Sequence, residues 1–152
     1  MEIKTTRFGR VSVAGDQVIT MKRGLIGFAD RLRYVILTPN PDSALVWLQS
    51  LDDPGLAFVI TSPRLFTPDY KINLGEGVLE ALEAESSAEL DVYVLVTIPA
   101  GRPEKMTGNL IGPLVVNPGR KLAEQLIVED SRYSHKQPLH AFGPSTEGGA
   151  KK

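Results

Sequence analysis

The stretch Asp91-Val92-Tyr93-Val94-Leu95-Val96-Thr97-Ile98 is apolar at nearly every position. A strand with one face in water alternates apolar and polar residues; this one does not, so both of its faces are covered, as in a central or barrel strand. Ala44-Leu45-Val46-Trp47-Leu48 reads the same way. Outward from these two runs, the 14 glycines and 11 prolines are spread over the whole chain and separate short β-branched or aromatic segments. That spacing predicts a mainly β fold, a small antiparallel β-barrel-like domain. Strands are expected at Glu2–Thr5, Arg10–Val13, Gln17–Thr20, Arg33–Thr38, Ala44–Ser50, Ala57–Thr61, Leu90–Pro99, Pro113–Asn117 and Glu124–Glu129. Between them lie turn-forming sequences such as Ala14-Gly15-Asp16 and Asp52-Asp53-Pro54-Gly55, the latter a hairpin. One periodicity change, Val78, Leu79 and Leu82 among glutamates, predicts a single short amphipathic helix within Gly77–Leu90.

A chain of 152 residues with 42% apolar side chains supports one domain with its own core. The expected domain is 1–140, followed by a disordered tail, 141–152, whose last ten residues hold no large apolar anchor. The polar start and the absence of any run approaching roughly 18 apolar residues predict a soluble, cytoplasmic protein. With no cysteine, disulfides, thiolate metal sites and cysteine nucleophiles are excluded together.

The residues offer little for catalysis. His135 and His140 have no metal-ligand spacing and read as solvated residues near the terminus. No G-x-S-x-G elbow occurs. Asp52-Asp53 could form a carboxylate pair, but Pro54-Gly55 directly after them favours a turn role. Gly24-Leu25-Ile26-Gly27 and Gly75-Glu76-Gly77 lack phosphate-loop spacing and read as backbone turns. One enzymatic alternative stays open: a flavin-binding split barrel, which holds its cofactor through scattered Arg, Lys, Ser and Thr without a short motif.

Net charge is −1, which disfavours non-specific nucleic-acid binding. The distribution is uneven: residues 1–41 carry +4 and residues 42–91 carry −8. Such a stretch attracts a basic partner at close range, unless its glutamates merely solvate one helix.

Trp47-Leu48-Gln49-Ser50-Leu51-Asp52-Asp53-Pro54, Phe58-Val59-Ile60 and Pro68-Asp69-Tyr70 together resemble the FliW family of flagellar assembly factors. Gly24-Leu25-Ile26-Gly27-Phe28 is similar to the family near the front. Met106-Thr107-Gly108-Asn109-Leu110-Ile111-Gly112-Pro113-Leu114-Val115-Val116-Asn117 is similar to it in the second half, and Gln125–Val128 with Tyr133–Leu139 at the end. The ordered set spans residues 1–139. The resemblance implies a β-barrel-like domain with no enzymatic activity and no cofactor, working by protein contact. It implies two partners: CsrA, an RNA-binding translational repressor of flagellin messenger RNA, and flagellin, which competes for the factor. No direct nucleic-acid or membrane contact is implied. Gly108 and Gly112 depart from the family pattern and predict close backbone packing.

A protein interface needs apolar anchors inside a polar rim. The candidate anchors are Phe66, Tyr70, Leu110, Ile111 and Trp47, the last read as a core residue within its unbroken apolar run. Asp52, Asp53, Asp69 and Glu76 are the candidate rim carboxylates, and Asn109 serves either a turn or a partner. An open strand edge offers a second mode of docking, but the sequence does not identify that edge.

Overall fold

The structure, a computed structural model, describes residues 1–139. The expected tail, with His140, lies outside the described residues. Eleven strands form: β1 (Glu2–Thr5), β2 (Gly9–Ser12), β3 (Ile19–Met21), β4 (Arg33–Leu37), β5 (Val46–Ser50), β6 (Ala57–Thr61), β7 (Asp91–Thr97), β8 (Thr107–Gly108), β9 (Leu114–Asn117), β10 (Leu122–Gln125) and β11 (Gln137–Pro138). Seven of them close a ring in the order β7-β6-β5-β4-β3-β10-β9 and back to β7, which confirms the barrel. Every junction of the ring is antiparallel except β3–β10, where Thr20 faces Leu122 and Met21 faces Ala123 in parallel.

Residues of alternate parity fill the inside: Ile19, Met21, Tyr34, Leu48, Ile60, Leu114, Val116 and Ala123, with Phe58, Tyr93 and Leu95 packed against them. The outside is apolar too, because two flaps cover it. The β1–β2 hairpin packs Ile3 and Val13 on Val35 of β4. The chain between β6 and β7 covers Val92, Val94 and Val115. This double coverage is why β7 lacks alternation.

The helix α1 (Glu76–Ala81) is shorter than expected. Val78, Leu79 and Leu82 face the barrel wall as their spacing requires. The helix stops because Glu83 takes φ 55° and the Ala84 amide folds back onto the Leu79 carbonyl at 2.8 Å. Residues Ser87–Glu89 make a separate 3-10 turn. The strand expected at Gln17–Thr20 begins later because Gly15–Gln17 is also a 3-10 turn. The strand expected at Glu124–Glu129 is centred earlier, at β10, although its continuation still runs beside the chain before β9: Leu126 donates to Pro113 O and Val128 to Ile111 O.

Strands β8 and β9 pair with the same edge of β7. Four steps along β7, from Thr97 to Tyr93, correspond to seven along the facing chain, from Thr107 to Leu114, so three residues are looped out. The resulting bulge, around Asn109–Pro113, sits where the outer pair β8–β11 leaves the ring.

Candidate functional site

Three regions hold the residues expected to act. The first is one rim of the barrel, where β3, β5 and β10 end and β4, β6 and β9 begin. Asp52 and Asp53 stand there as hairpin residues. The Ser50 hydroxyl oxygen accepts from both of their amides, at 3.1 and 3.0 Å, and Asp53 Oδ1 accepts from the Gly55 amide. Both carboxylates also meet arginines from the preceding strand and its approach. Arg33 lies 2.6 Å from Asp52, and Arg31 lies 3.4 Å from Asp53 while also pairing with Asp30. The hydrogen bond from Arg33 holds the Asp52 carboxyl below its ordinary range. These two acids are therefore turn residues, Asp52 matched by Arg33 and Asp53 sharing Arg31 with Asp30.

The second region is the outer wall over β7. The Tyr70 hydroxyl donates to Leu110 O at 2.6 Å, and the ring lies 4.7 Å from that of Tyr133. Tyr70 and Leu110 are almost fully buried, so the structure corrects their reading as surface anchors: both hold the bulge against the wall. Burial pushes the Tyr70 phenol well above its ordinary range. Asn109 takes the turn role, its Oδ1 accepting the Ile111 amide at 3.2 Å. Phe66 is half-buried, whereas Asp69 and Glu76 are exposed. Trp47 is half-buried on the outside of the barrel, beneath Phe8 and the Arg7 guanidinium, which lies 4.5 Å from its ring. Between the incoming chain and β7 runs a groove of about 790 Å³ whose walls include Arg64, Tyr70, Ile72, Leu90, Asp91 and Tyr93.

The third region is the ridge of α1 and the 3-10 turn after it. Glu76, Glu80, Glu83, Glu85, Glu89 and Asp91 are all exposed, and no Lys or Arg occurs between them in the sequence. Arg120 approaches Glu83 only to 4.0 Å. Most of the negative excess of residues 42–91 lies on this ridge, where six of the ten acids of that stretch stand without an intervening Lys or Arg.

Gly112 shows the expected close packing. A Cβ there would lie 2.8 Å from Asn109 Nδ2 and 2.9 Å from Gln125 Nε2. Nothing in the sequence marks Gln125 as a site residue beyond its place in the Gln125–Val128 stretch. Its side chain joins two loops, accepting the Ile26 amide at 2.8 Å and donating to Gly112 O at 2.9 Å. Among the described residues no group of three or more His, Asp or Glu side chains is placed to hold a metal ion. No described helix is long and apolar enough to cross a membrane.

The FliW protein family model matches residues 2–139, the whole described barrel with both flaps. The chain belongs to the FliW family. Among FliW relatives, the flagellar assembly factor FliW of Treponema denticola is 40% identical over 142 residues, covering 93% of this chain and 95% of its own. The Bacillus licheniformis factor of the same name is 42% identical, covering 91% and 96%. A crystal structure of the flagellar assembly factor FliW superposes with a TM-score of 0.82 at 28% identity, covering 91% of this chain and 96% of the other. These matches cover at least 91% of this chain and 95% of the others, and a flavin oxidoreductase is not favoured by them.

Proposed function

We propose that this FliW chain works in the cytoplasm as a non-catalytic regulator, binding CsrA to relieve repression of flagellin synthesis and binding flagellin as the competing partner. The observation that carries the reading is the run of six exposed carboxylates from Glu76 on α1 to Asp91 at the start of β7, on a chain whose residues 2–139 match the family. An RNA-binding repressor presents a basic surface, and an acidic ridge both attracts it and excludes RNA from the same contact.

Calorimetric titration of the purified chain with purified CsrA, and separately with flagellin, tests this. Stoichiometric binding to both is expected, with CsrA affinity falling as salt rises and on the double change Glu76→Lys with Glu80→Lys. A wild-type chain that binds neither protein overturns the reading. Unchanged CsrA affinity in the double variant removes the acidic-ridge mechanism.

A further inference from the structure

The acidic ridge is carried by very little structure of its own. Helix α1 has six residues and no side-chain cap at Gly75, and isolated helices shorter than about 12–15 residues are marginal in water. Val78, Leu79 and Leu82 press it on the barrel wall. Apolar packing decides which face of the helix lies down, but it is non-directional and leaves the helix free to shift along the wall.

A directional contact removes that freedom. Asn117, the last residue of β9, is 2% exposed. Its Nδ2 donates to Leu82 O at 2.7 Å, across 35 positions of sequence, and no other donor reaches that carbonyl among the described residues. Leu82 is where α1 ends, and Glu83 directly after it takes the positive φ that turns the chain. The bond therefore stands within the ridge, with Glu76 and Glu80 before it and Glu83, Glu85, Glu89 and Asp91 after it. Val116, the neighbour of Asn117 in β9, faces Asp91 in the ladder with β7, so the same stretch of strand also fixes the far end of the ridge. The other half of the carboxamide is engaged too. Its Oδ1 accepts the amides of Gly119 and Arg120, at 3.1 and 3.3 Å, and shapes the turn that brings Arg120 to 4.0 Å from Glu83.

We infer that Asn117 is the positioning residue of the ridge. By holding the Leu82 carbonyl it sets where the six carboxylates stand relative to the barrel and to Arg120, and thereby how many of them a basic partner meets at once. It touches no partner itself. The inference rests on the functional reading above, with CsrA as the partner that reports on it.

The test compares the wild-type chain, Asn117→Ala and Asn117→Asp with Gly24→Ala, a variant strained in the loop after β3 that controls for lost stability. Calorimetry gives CsrA affinity at several salt concentrations, and residue-resolved exchange follows the amides of Leu82, Glu83 and Ala84. Ionised aspartate keeps the shape and the acceptor for Gly119 and Arg120 but has no donor for Leu82. Its added negative charge by itself favours a basic partner, so a loss of affinity in this variant is positional. CsrA affinity at least fivefold weaker in both Asn117 variants, with a shallower dependence on salt and with the three amides exchanging faster than in Gly24→Ala, supports the inference, provided Gly24→Ala binds as wild type does. Wild-type affinity in Asn117→Asp, an equal loss in Gly24→Ala, or exchange no faster than in Gly24→Ala overturns it. If neither Asn117 variant folds, the wild-type chain decides: slow exchange of the Asn117 carboxamide protons, slowed further by CsrA, supports the inference, and exchange at the rate of an exposed asparagine overturns it. A wild-type chain that binds no CsrA fails at the earlier step and takes this inference with it.

Discussion

The phenolic oxygen of Tyr70 lies 2.6 Å from the carbonyl oxygen of Leu110, forty residues further along the chain. This one hydrogen bond ties the cover over β7 to the bulge that interrupts its edge, and Tyr133 seals it from outside by exchanging bonds with the Lys71 backbone. The cover and the bulge should therefore loosen together.

Tyr70→Phe keeps the ring and deletes the donor, leaving a buried carbonyl unmatched. A loss of about 1–3 kcal/mol is expected in urea denaturation, with the slope against denaturant unchanged. A variant as stable as wild type would show that the bond contributes nothing net.

Tyr34 presents the opposite case. Its ring is fully buried inside the barrel, yet its hydroxyl has no hydrogen-bond partner among the described residues. Removing an unsatisfied buried group relieves its desolvation cost, so Tyr34→Phe should raise stability by about 1 kcal/mol. Burial also pushes the Tyr34 phenol up to about 12. A phenol whose folded value is raised contributes stability that is complete below its unfolded value near 10 and is lost as pH rises toward the folded one. Melting temperature should fall across that window in the wild-type protein, and less steeply in Tyr34→Phe.

The Arg33–Asp52 pair makes an acid-side prediction. Because the Asp52 carboxyl is lowered, chiefly by its hydrogen bond from Arg33, it stabilises the fold above its unfolded value near 3.9 and loses that contribution as pH falls through the folded one. Asp52→Asn should flatten the acid limb of the stability curve. At neutral pH the cost should be no more than about 1 kcal/mol, since the pair is partly solvated. CsrA affinity should not change, because this charge is already matched within the chain.

Gly24 turns the chain away from β10 at φ +70°, and a Cβ there would lie 2.6 Å from the Phe28 carbonyl oxygen and 2.9 Å from Ala29 Cα. Neither obstacle is the end of a flexible side chain. Gly24→Ala should cost well over about 1 kcal/mol, measured as a lowered urea midpoint. Gly15→Ala, with open space around its Cβ, is the control.

The barrel was legible in the sequence because its longest strand is covered on both sides, inward through Tyr93 and Leu95 and outward through Val92 and Val94, and no exposed strand reads that way. The two-residue strands β8 and β11 were not legible. Their pairing is set by the three-residue bulge and by Leu139 packing on Gly108, and neither leaves a local pattern. The helix was legible in its spacing but not in its length, which Glu83 decides by adopting a positive φ that its residue type does not announce. Among the candidate site residues, charge alone could not separate Asp52 and Asp53 from the glutamates of the ridge, since the arginines that match them come from the other side of β4 and β5 pairing. Tyr70 and Leu110, read as interface anchors, are buried instead, with the Tyr70 hydroxyl spent on the Leu110 carbonyl.

The parallel seam between β3 and β10 joins residues about a hundred positions apart, Thr20 to Leu122 and Met21 to Ala123. Hairpins such as β5–β6 need only their own few residues, but this seam waits for nearly the entire polypeptide to leave the ribosome. A nascent chain halted before residue 122 holds an open sheet with its greasy interior uncovered, and so is a client for chaperones or proteases; closure of the seam makes quality control nearly all-or-none.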